Sequence, residues 1–180
     1  MKYWKQLDRK TIHESGWLRV TIDKVELPDG RIIENFELMH YPHDAVGIIA
    51  TDNEGKILLV RAYRYLRETF DWEIPGGVVE PNEKHIDAAR RELTEETGYA
   101  ASIYTPLINF YPHKATCDQI FYIWHAEDLK KVGEFQKEEV SEVGCFTEEE
   151  IWKMIEEGKI DDGVSLTALQ HFFLLKKHQR

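Results

Sequence analysis

Apolar and polar side chains alternate along residues 18–38, where Leu18, Val20, Ile22 and Val25 are separated by polar neighbours until Pro28-Asp29-Gly30 turns the chain into 31–38. That period of two around a Pro-Asp-Gly turn predicts a β-hairpin. A short joint follows at Tyr41-Pro42-His43, and residues 45–50 and 56–63 read as a second strand pair around Asp52-Asn53-Glu54-Gly55. The runs Val46-Gly47-Ile48-Ile49 and Ile57-Leu58-Leu59-Val60 are apolar on both faces, which makes these strands central in their sheet. The period then changes. Ile86, Ala89 (or Arg90) and Leu93 recur at spacings of three and four, so residues 83–97 are expected to be helical, with Gly98 as the stop. Further strands are expected at 103–111, 120–126 and 142–146. Thr147 and Glu150 make a capping box for a helix ending near Gly158, and a last helix over 165–177 carries Leu166, Leu169, Phe172 and Phe173 on one side. Strands interspersed with helices predict an α+β sandwich over residues 43–180, preceded by a small β appendage over 1–42.

Composition narrows the setting. The chain has 180 residues, 42% apolar and 31% charged, in the range of ordinary globular proteins and enough for one substantial core. No run reaches the roughly 18 apolar residues needed to cross a bilayer. The start, Met1-Lys2-Tyr3-Trp4-Lys5, lacks the apolar core of a secretion signal, so no membrane role is expected. Cys117 and Cys145 fit no metal spacing, which points to a reducing, cytoplasmic setting. A net charge of −10 argues against a nucleic-acid partner, which needs a basic face.

Chemistry concentrates in Gly77-Val78-Val79-Glu80-Pro81-Asn82-Glu83 and, seven residues on, Arg91-Glu92-Leu93-Thr94-Glu95-Glu96-Thr97-Gly98-Tyr99. On a helix Glu92 and Glu96 share one face, with Glu95 alongside. Carboxylates so placed repel one another, by a few tenths of a kcal/mol per pair even in a solvated helix. Alone, such a run would be a solvated acidic face. As a cluster of hard oxygen donors it suits Mg²⁺, with Mn²⁺ as a substitute. Gly76 and Gly77 let the backbone bend beside the carboxylates, and Glu83 is placed to reach Arg91 and pin loop to helix.

The complete pattern is G, five residues, E, seven residues, R-E, an apolar residue, any residue, E-E, any residue, G and an apolar residue, and every position is filled. Fewer than about one in a million chains of this composition would carry it by chance. It resembles the signature of the Nudix hydrolases. The resemblance implies the Nudix fold, a mixed β-sheet sandwiched between helices, and hydrolysis of a nucleoside diphosphate linked to another group. It makes Glu92 and Glu96 the principal catalytic metal ligands, with Glu95 and the carbonyl of Gly76 completing the metal set.

Outside that signature the chain is similar to the branch that cleaves ADP-ribose and other nucleoside diphosphate sugars. Leu59-Val60-Arg61-Ala62-Tyr63-Arg64, Glu73-Ile74-Pro75-Gly76-Gly77, residues 156–162 and the N-terminal β segment carry this likeness. It implies a homodimer built through the appendage, with Arg64 and Glu73 as substrate contacts. A glutamate within Lys137-Glu138-Glu139-Val140-Ser141-Glu142-Val143 would be the general base, with Glu139 aligning best and Glu138 and Glu142 as rivals. Tyr3, Trp4 and Trp17 are candidate stacking platforms for the base, and His113 and Lys114 lie on a loop expected to face the site. Tyr111-Pro112-His113-Lys114-Ala115-Thr116-Cys117-Asp118 departs from the branch by lacking a glycine, which leaves a GDP-mannose-like substrate open beside an ADP-ribose-like one. Two other readings are a Nudix hydrolase of dinucleoside polyphosphates or RNA 5′ ends, and a sensor that binds a nucleotide sugar without cleaving it. A sensor would be expected to have lost glutamates that are all present here.

Overall fold

A computed structural model describes residues 3–178, and the outermost residues of the expected appendage (1–2) and main domain (179–180) lie outside the described residues. The chain divides into two compact units. One contains residues 1–44 together with 111–120, and the other contains 45–110 and 121–180.

The first unit is an antiparallel sheet in the order β1-β2-β3, formed by β1 (Lys5–Glu14), β2 (Arg19–Glu26) and β3 (Ile32–His40). The hairpin read from the sequence is β2–β3, turning at Pro28-Asp29-Gly30, where Gly30 takes φ +88°. Alternate residues of β2, Thr21, Asp23 and Val25, are buried. A buried carboxylate needs a partner, and Arg9 of β1 supplies a two-pronged one, with nitrogen–oxygen distances of 2.8 and 2.7 Å to Asp23. The Arg9 hydrogen bonds hold Asp23 below the usual carboxylate range. Segment 111–120 is stitched to β3. Met39 N–H donates to the Thr116 carbonyl (2.8 Å), and Asp118 accepts from Tyr41 N–H (2.9 Å) and pairs with His40 Nδ1 (2.7 Å).

The second unit is built on a seven-stranded mixed sheet. Its main path is β10-β5-β4-β9-β8, from β10 (Val140–Phe146), β5 (Ile57–Arg64), β4 (Ala45–Thr51), β9 (Phe121–Lys131) and β8 (Tyr99–Phe110). Strands β6 (Thr69–Glu73) and β7 (Gly76–Val78) pair with β5 and β4 respectively. Strands β4 and β9 run parallel and the other pairs antiparallel. As the two-sided apolar runs require, all of β4 and the start of β5 are buried. The two strands share only the registers Ala50↔Leu58 and Thr51↔Ile57, because β7 pairs with the first residues of β4 while β9 takes its opposite edge.

Helices cover both faces. Helix α1 (His85–Thr97) lays Ala88, Ala89 and Leu93 on Val46, Ile48, Ala50 and Leu58. On the other face α2 (Glu148–Glu156) and α3 (Gly163–His178) pack Ile151, Leu169 and Phe173 against Ile49, Ile57, Leu59 and Ile123. The Thr147–Glu150 capping box is formed in both directions, and Gly158 follows α2 at φ +69°.

Candidate active site

The site is built where the short strand β7 passes under α1. Strand β7 runs antiparallel to the first residues of β4, with Gly76 opposite Gly47 and Gly77 opposite Val46. A Cβ at Gly76 would come within 2.3 Å of the Val46 carbonyl oxygen, so only glycine lets the strands approach this closely. A Cβ at Gly77 would sit 2.3–2.7 Å from the Glu92 carboxylate, which therefore lies directly over the glycine.

Arg91 locks the loop between β7 and α1. Its Nε and Nη2 donate to the two Glu83 oxygens at 3.0 and 2.9 Å, and Nη2 also donates to the Val78 carbonyl at 3.0 Å. Nη1 reaches Glu92 at 2.7 Å and Glu95 at 3.3 Å. One guanidinium thus joins the loop to two of the three expected metal-ligating glutamates. Those bonds drive the Arg91 pKa up and draw that of Glu83 down.

Glu96 has a different environment. Its Oε2 accepts from the Gly76 N–H at 2.8 Å, and Arg91 does not reach it. Burial pushes its pKa up to about 8, with Glu92, Glu73 and Glu139 adding to the rise and the Gly76 bond opposing it. Glu92 is also raised by burial, against the pull of its Arg91 bond. Among the described residues no three carboxylate, imidazole or thiolate groups already form a cage for an ion. The donor set still fits one. These are oxygen ligands held in a half-buried cluster of like charge, and Mg²⁺ needs only one or two protein carboxylates beside water and phosphate.

The C-terminal end of α1 fixes the late glutamates. Gly98 takes φ +74°, and its carbonyl accepts from Val132 N–H (2.8 Å) and Gly133 N–H (3.1 Å). The Glu95 carbonyl accepts from Gln136 N–H at 2.8 Å, and the Gln136 carbonyl in turn accepts from Glu139 N–H (3.4 Å) and Val140 N–H (3.1 Å). Segment 132–139 is thus docked on the unpaired carbonyls of the helix that bears Glu92 and Glu96. Glu139 is exposed, yet its charge raises both of those carboxyls. Its rival Glu142 instead pairs with Arg61 at 3.4 Å. Periodicity carries no sign of this docking, and the sequence marks it only by a glycine at each of the two backbones that meet, Gly98 and Gly133.

Arg64 of β5 and Glu73 of β6 form an ion pair along the strands, since the register sets Arg64 opposite Thr69 and Glu73 opposite Val60. Burial raises the Glu73 carboxyl although Arg64 pulls it down, and Glu96 lies near enough to raise the Arg64 guanidinium. The structure therefore brings Gly76, Glu92, Glu95, Glu96, Glu139, Arg64 and Glu73 together. Trp17 belongs to the N-terminal unit, 75% exposed in a turn where Ser15 Oγ accepts from the Trp17 and Leu18 amides. His113 and Lys114 belong to that unit as well.

A mixed sheet between helices, with a glutamate-rich helix clamped over a glycine strand, defines the Nudix fold. The chain belongs to the NUDIX family, whose domain matches residues 41–169, and residues 4–39 match the nucleoside diphosphate sugar hydrolase N-terminal domain. Among curated proteins it is 34% identical over 178 residues to ADP-ribose pyrophosphatase of Bacillus subtilis (strain 168), covering 94% of this chain and 95% of that one. It is 32% identical over 173 residues to methanol dehydrogenase activator of Bacillus methanolicus, covering 94% and 92%. The fold is shared with a crystal structure of ADP compounds hydrolase, with a TM-score of 0.88 at 21% identity over 99% of this chain and 97% of that chain. The chain is thus a pyrophosphohydrolase of the ADP-ribose and nucleoside diphosphate sugar type, in a family that uses divalent cations. None of its described helices is long and apolar enough to cross a membrane.

Proposed function

We propose that this protein hydrolyses the pyrophosphate bond of a nucleoside diphosphate sugar, ADP-ribose-like or GDP-mannose-like, to a nucleoside monophosphate and a sugar phosphate, with Mg²⁺ as cofactor. The observation that carries the proposal is the buried Glu92 with the half-buried Glu96 beside Gly76, and the charge of Glu139 bearing on both. Glu92, Glu95, Glu96 and the Gly76 carbonyl would hold the metal, which when bound neutralises the pyrophosphate and polarises it toward attack. Glu96, held by the Gly76 amide, gives that site a rigid oxygen donor. Arg91 keeps Glu92 and Glu95 turned the same way. Glu139, on a segment docked to α1, takes the proton of the attacking water. Arg64 turns its guanidinium from Glu73 to a phosphate oxygen, and Glu73 then receives hydrogen bonds from the substrate. Trp17 provides a stacking face for the nucleobase. A homodimer formed through the N-terminal sheet completes the reading.

The test is release of nucleoside monophosphate from ADP-ribose, GDP-mannose and a dinucleoside polyphosphate, and of phosphate or pyrophosphate from triphosphorylated RNA, with Mg²⁺ and with EDTA. Turnover of a nucleotide sugar that EDTA abolishes is expected, with losses of about 10²-fold or more in Glu139→Gln and in Glu96→Gln. Turnover of RNA alone, or binding without turnover, would overturn the proposal, and near-normal turnover in Glu139→Gln would remove that residue from its role.

A further inference from the structure

Beyond the Arg64–Glu73 pair the second unit opens into a cavity of about 400 Å³. Its apolar walls are the flank of Trp72 and two residues of the β5–β6 turn, Tyr65 and Leu66, which are 81% and 94% exposed. Two guanidinium groups line it and both are engaged, Arg64 with Glu73 and Arg67 with Asp161 at 2.5 Å. Two more carboxylates, Asp71 and Asp162, form no close ion pair among the described residues, although the charge of Asp71 acts on Arg67 and that of Asp162 on Arg64. Asp71 accepts from the Thr69 hydroxyl at 2.6 Å. Asp162 uses Oδ1 to cap α3, accepting from the amides of Val164 (3.0 Å) and Ser165 (2.8 Å), while its Oδ2 is shut off without a partner. The lining therefore carries a net charge of −2, from Asp71, Glu73, Asp161 and Asp162 against Arg64 and Arg67. The cavity adjoins the catalytic cluster, because Asp162 acts on Glu73 and Glu73 acts on Glu96.

We propose that this cavity receives the half of the substrate beyond the second phosphate, and that Asp71, within a lining of net charge −2, selects an uncharged polyhydroxylated group over one bearing a further phosphate. The proposal rests on the nucleotide-sugar reading above. Hydroxyl groups are donors and carboxylates accept only, so a sugar complements such a lining. The apolar walls suit the C–H faces of a pentose or hexose ring, and the volume lies in the range of small-molecule sites. A further phosphate brings about −1.5 to −2 charges into a cavity whose lining is already negative, and the like charges repel. The same repulsion would turn away dinucleoside polyphosphates and triphosphorylated RNA ends, whose far side continues in phosphate.

The experiment compares ADP-ribose with ADP-ribose phosphorylated on its distal ribose. Affinity is measured calorimetrically with Ca²⁺ replacing Mg²⁺, and kcat/KM with Mg²⁺, in the wild type, Asp71→Asn, Asp161→Asn and a control, Glu149→Gln, in the exposed first turn of α2. Asparagine keeps the shape of each aspartate while removing its charge and exchanging one acceptor oxygen for an NH2 donor. The wild type is expected to prefer the unphosphorylated ligand by about tenfold or more at low salt. Asp71→Asn and Asp161→Asn should each narrow that preference about threefold to tenfold, the second by releasing Arg67, while the control keeps it. No wild-type preference, or a preference that neither aspartate variant changes, would overturn the subsite. Hydrolysis of ADP-ribose with no such preference removes this inference and leaves the proposed function standing. A preference in affinity without turnover of any nucleotide sugar does the reverse.

Discussion

Side chains decide how much charge this site tolerates. Glu96 has a folded-state pKa of about 8 against an ordinary 4.5, so between those values the folded metal-free protein binds a proton that the unfolded chain releases. Its contribution to stability is therefore fully present below the ordinary carboxylate pKa and is lost as pH rises through about 8. In EDTA, wild-type stability should fall relative to Glu96→Gln across that window, by at most roughly 5 kcal/mol, a difference read from urea unfolding of both proteins at matched pH. Parallel pH profiles of the two would show that Glu96 is not the group under strain. Gly77 gives a second test. A methyl group at 2.3–2.7 Å from the Glu92 carboxylate must displace it, so Gly77→Ala is expected to lower kcat by about 10²-fold while moving the melting temperature by only a few degrees. Unchanged kcat in that variant would mean that the position of Glu92 is immaterial to the chemistry.

At the scale of elements, helix α1 organises the site at two points. Its middle turn is tied to the glycine strand through Arg91, and its last carbonyls hold segment 132–139 and hence Glu139. Gly98 is the hinge of that second attachment. It takes φ +74°, and a Cβ there would lie 2.4 Å from the Gly133 carbonyl oxygen. Gly98→Ala should cost about 2–3 kcal/mol in stability and release the segment, so that the Val132, Gly133 and Gln136 amides exchange faster than those of the β4 core. Uniform loss of protection across the unit would point to global unfolding instead. How legible each element was follows from its burial. Strand β4, helix α1 and the carboxylate signature show in the sequence because each carries a periodic or fully apolar pattern. Strand β1 does not, since all ten of its residues are exposed and no face imposes an alternation. Strands β6 and β7 are short and glycine-bearing or polar, and backbone pairing with β5 and β4 defines them more than side-chain pattern does. The residues on either side of the cavity, Arg64 and Asp162, are 98 positions apart, so pairing them required the fold.

For the molecule as a whole, the N-terminal unit poses the main physical problem. Its sheet leaves Trp4, Leu7, Ile12 and Trp17 exposed at 54%, 40%, 52% and 75%, on a chain whose other surface is strongly charged. Exposed apolar side chains of this size on a small sheet gain most by meeting a second copy of themselves, which a two-fold axis allows without opening into a filament. Such pairing must overcome the repulsion of two chains each carrying −10. That charge is spread over the surface and is screened beyond about 8 Å at physiological ionic strength, whereas apolar contact is not. The dimer is therefore expected to tighten as NaCl is raised, the opposite of an association held by salt bridges. Sedimentation equilibrium at micromolar concentration should give twice the 21.2 kDa of one chain. Leu7→Lys combined with Ile12→Lys should return it to one chain mass, since each lysine would carry its charge into the contact and neither native side chain is buried within the described protomer. A wild-type protein that sediments as a single chain at all salt concentrations would mean that the exposed apolar side chains of the appendage meet something other than their own copy.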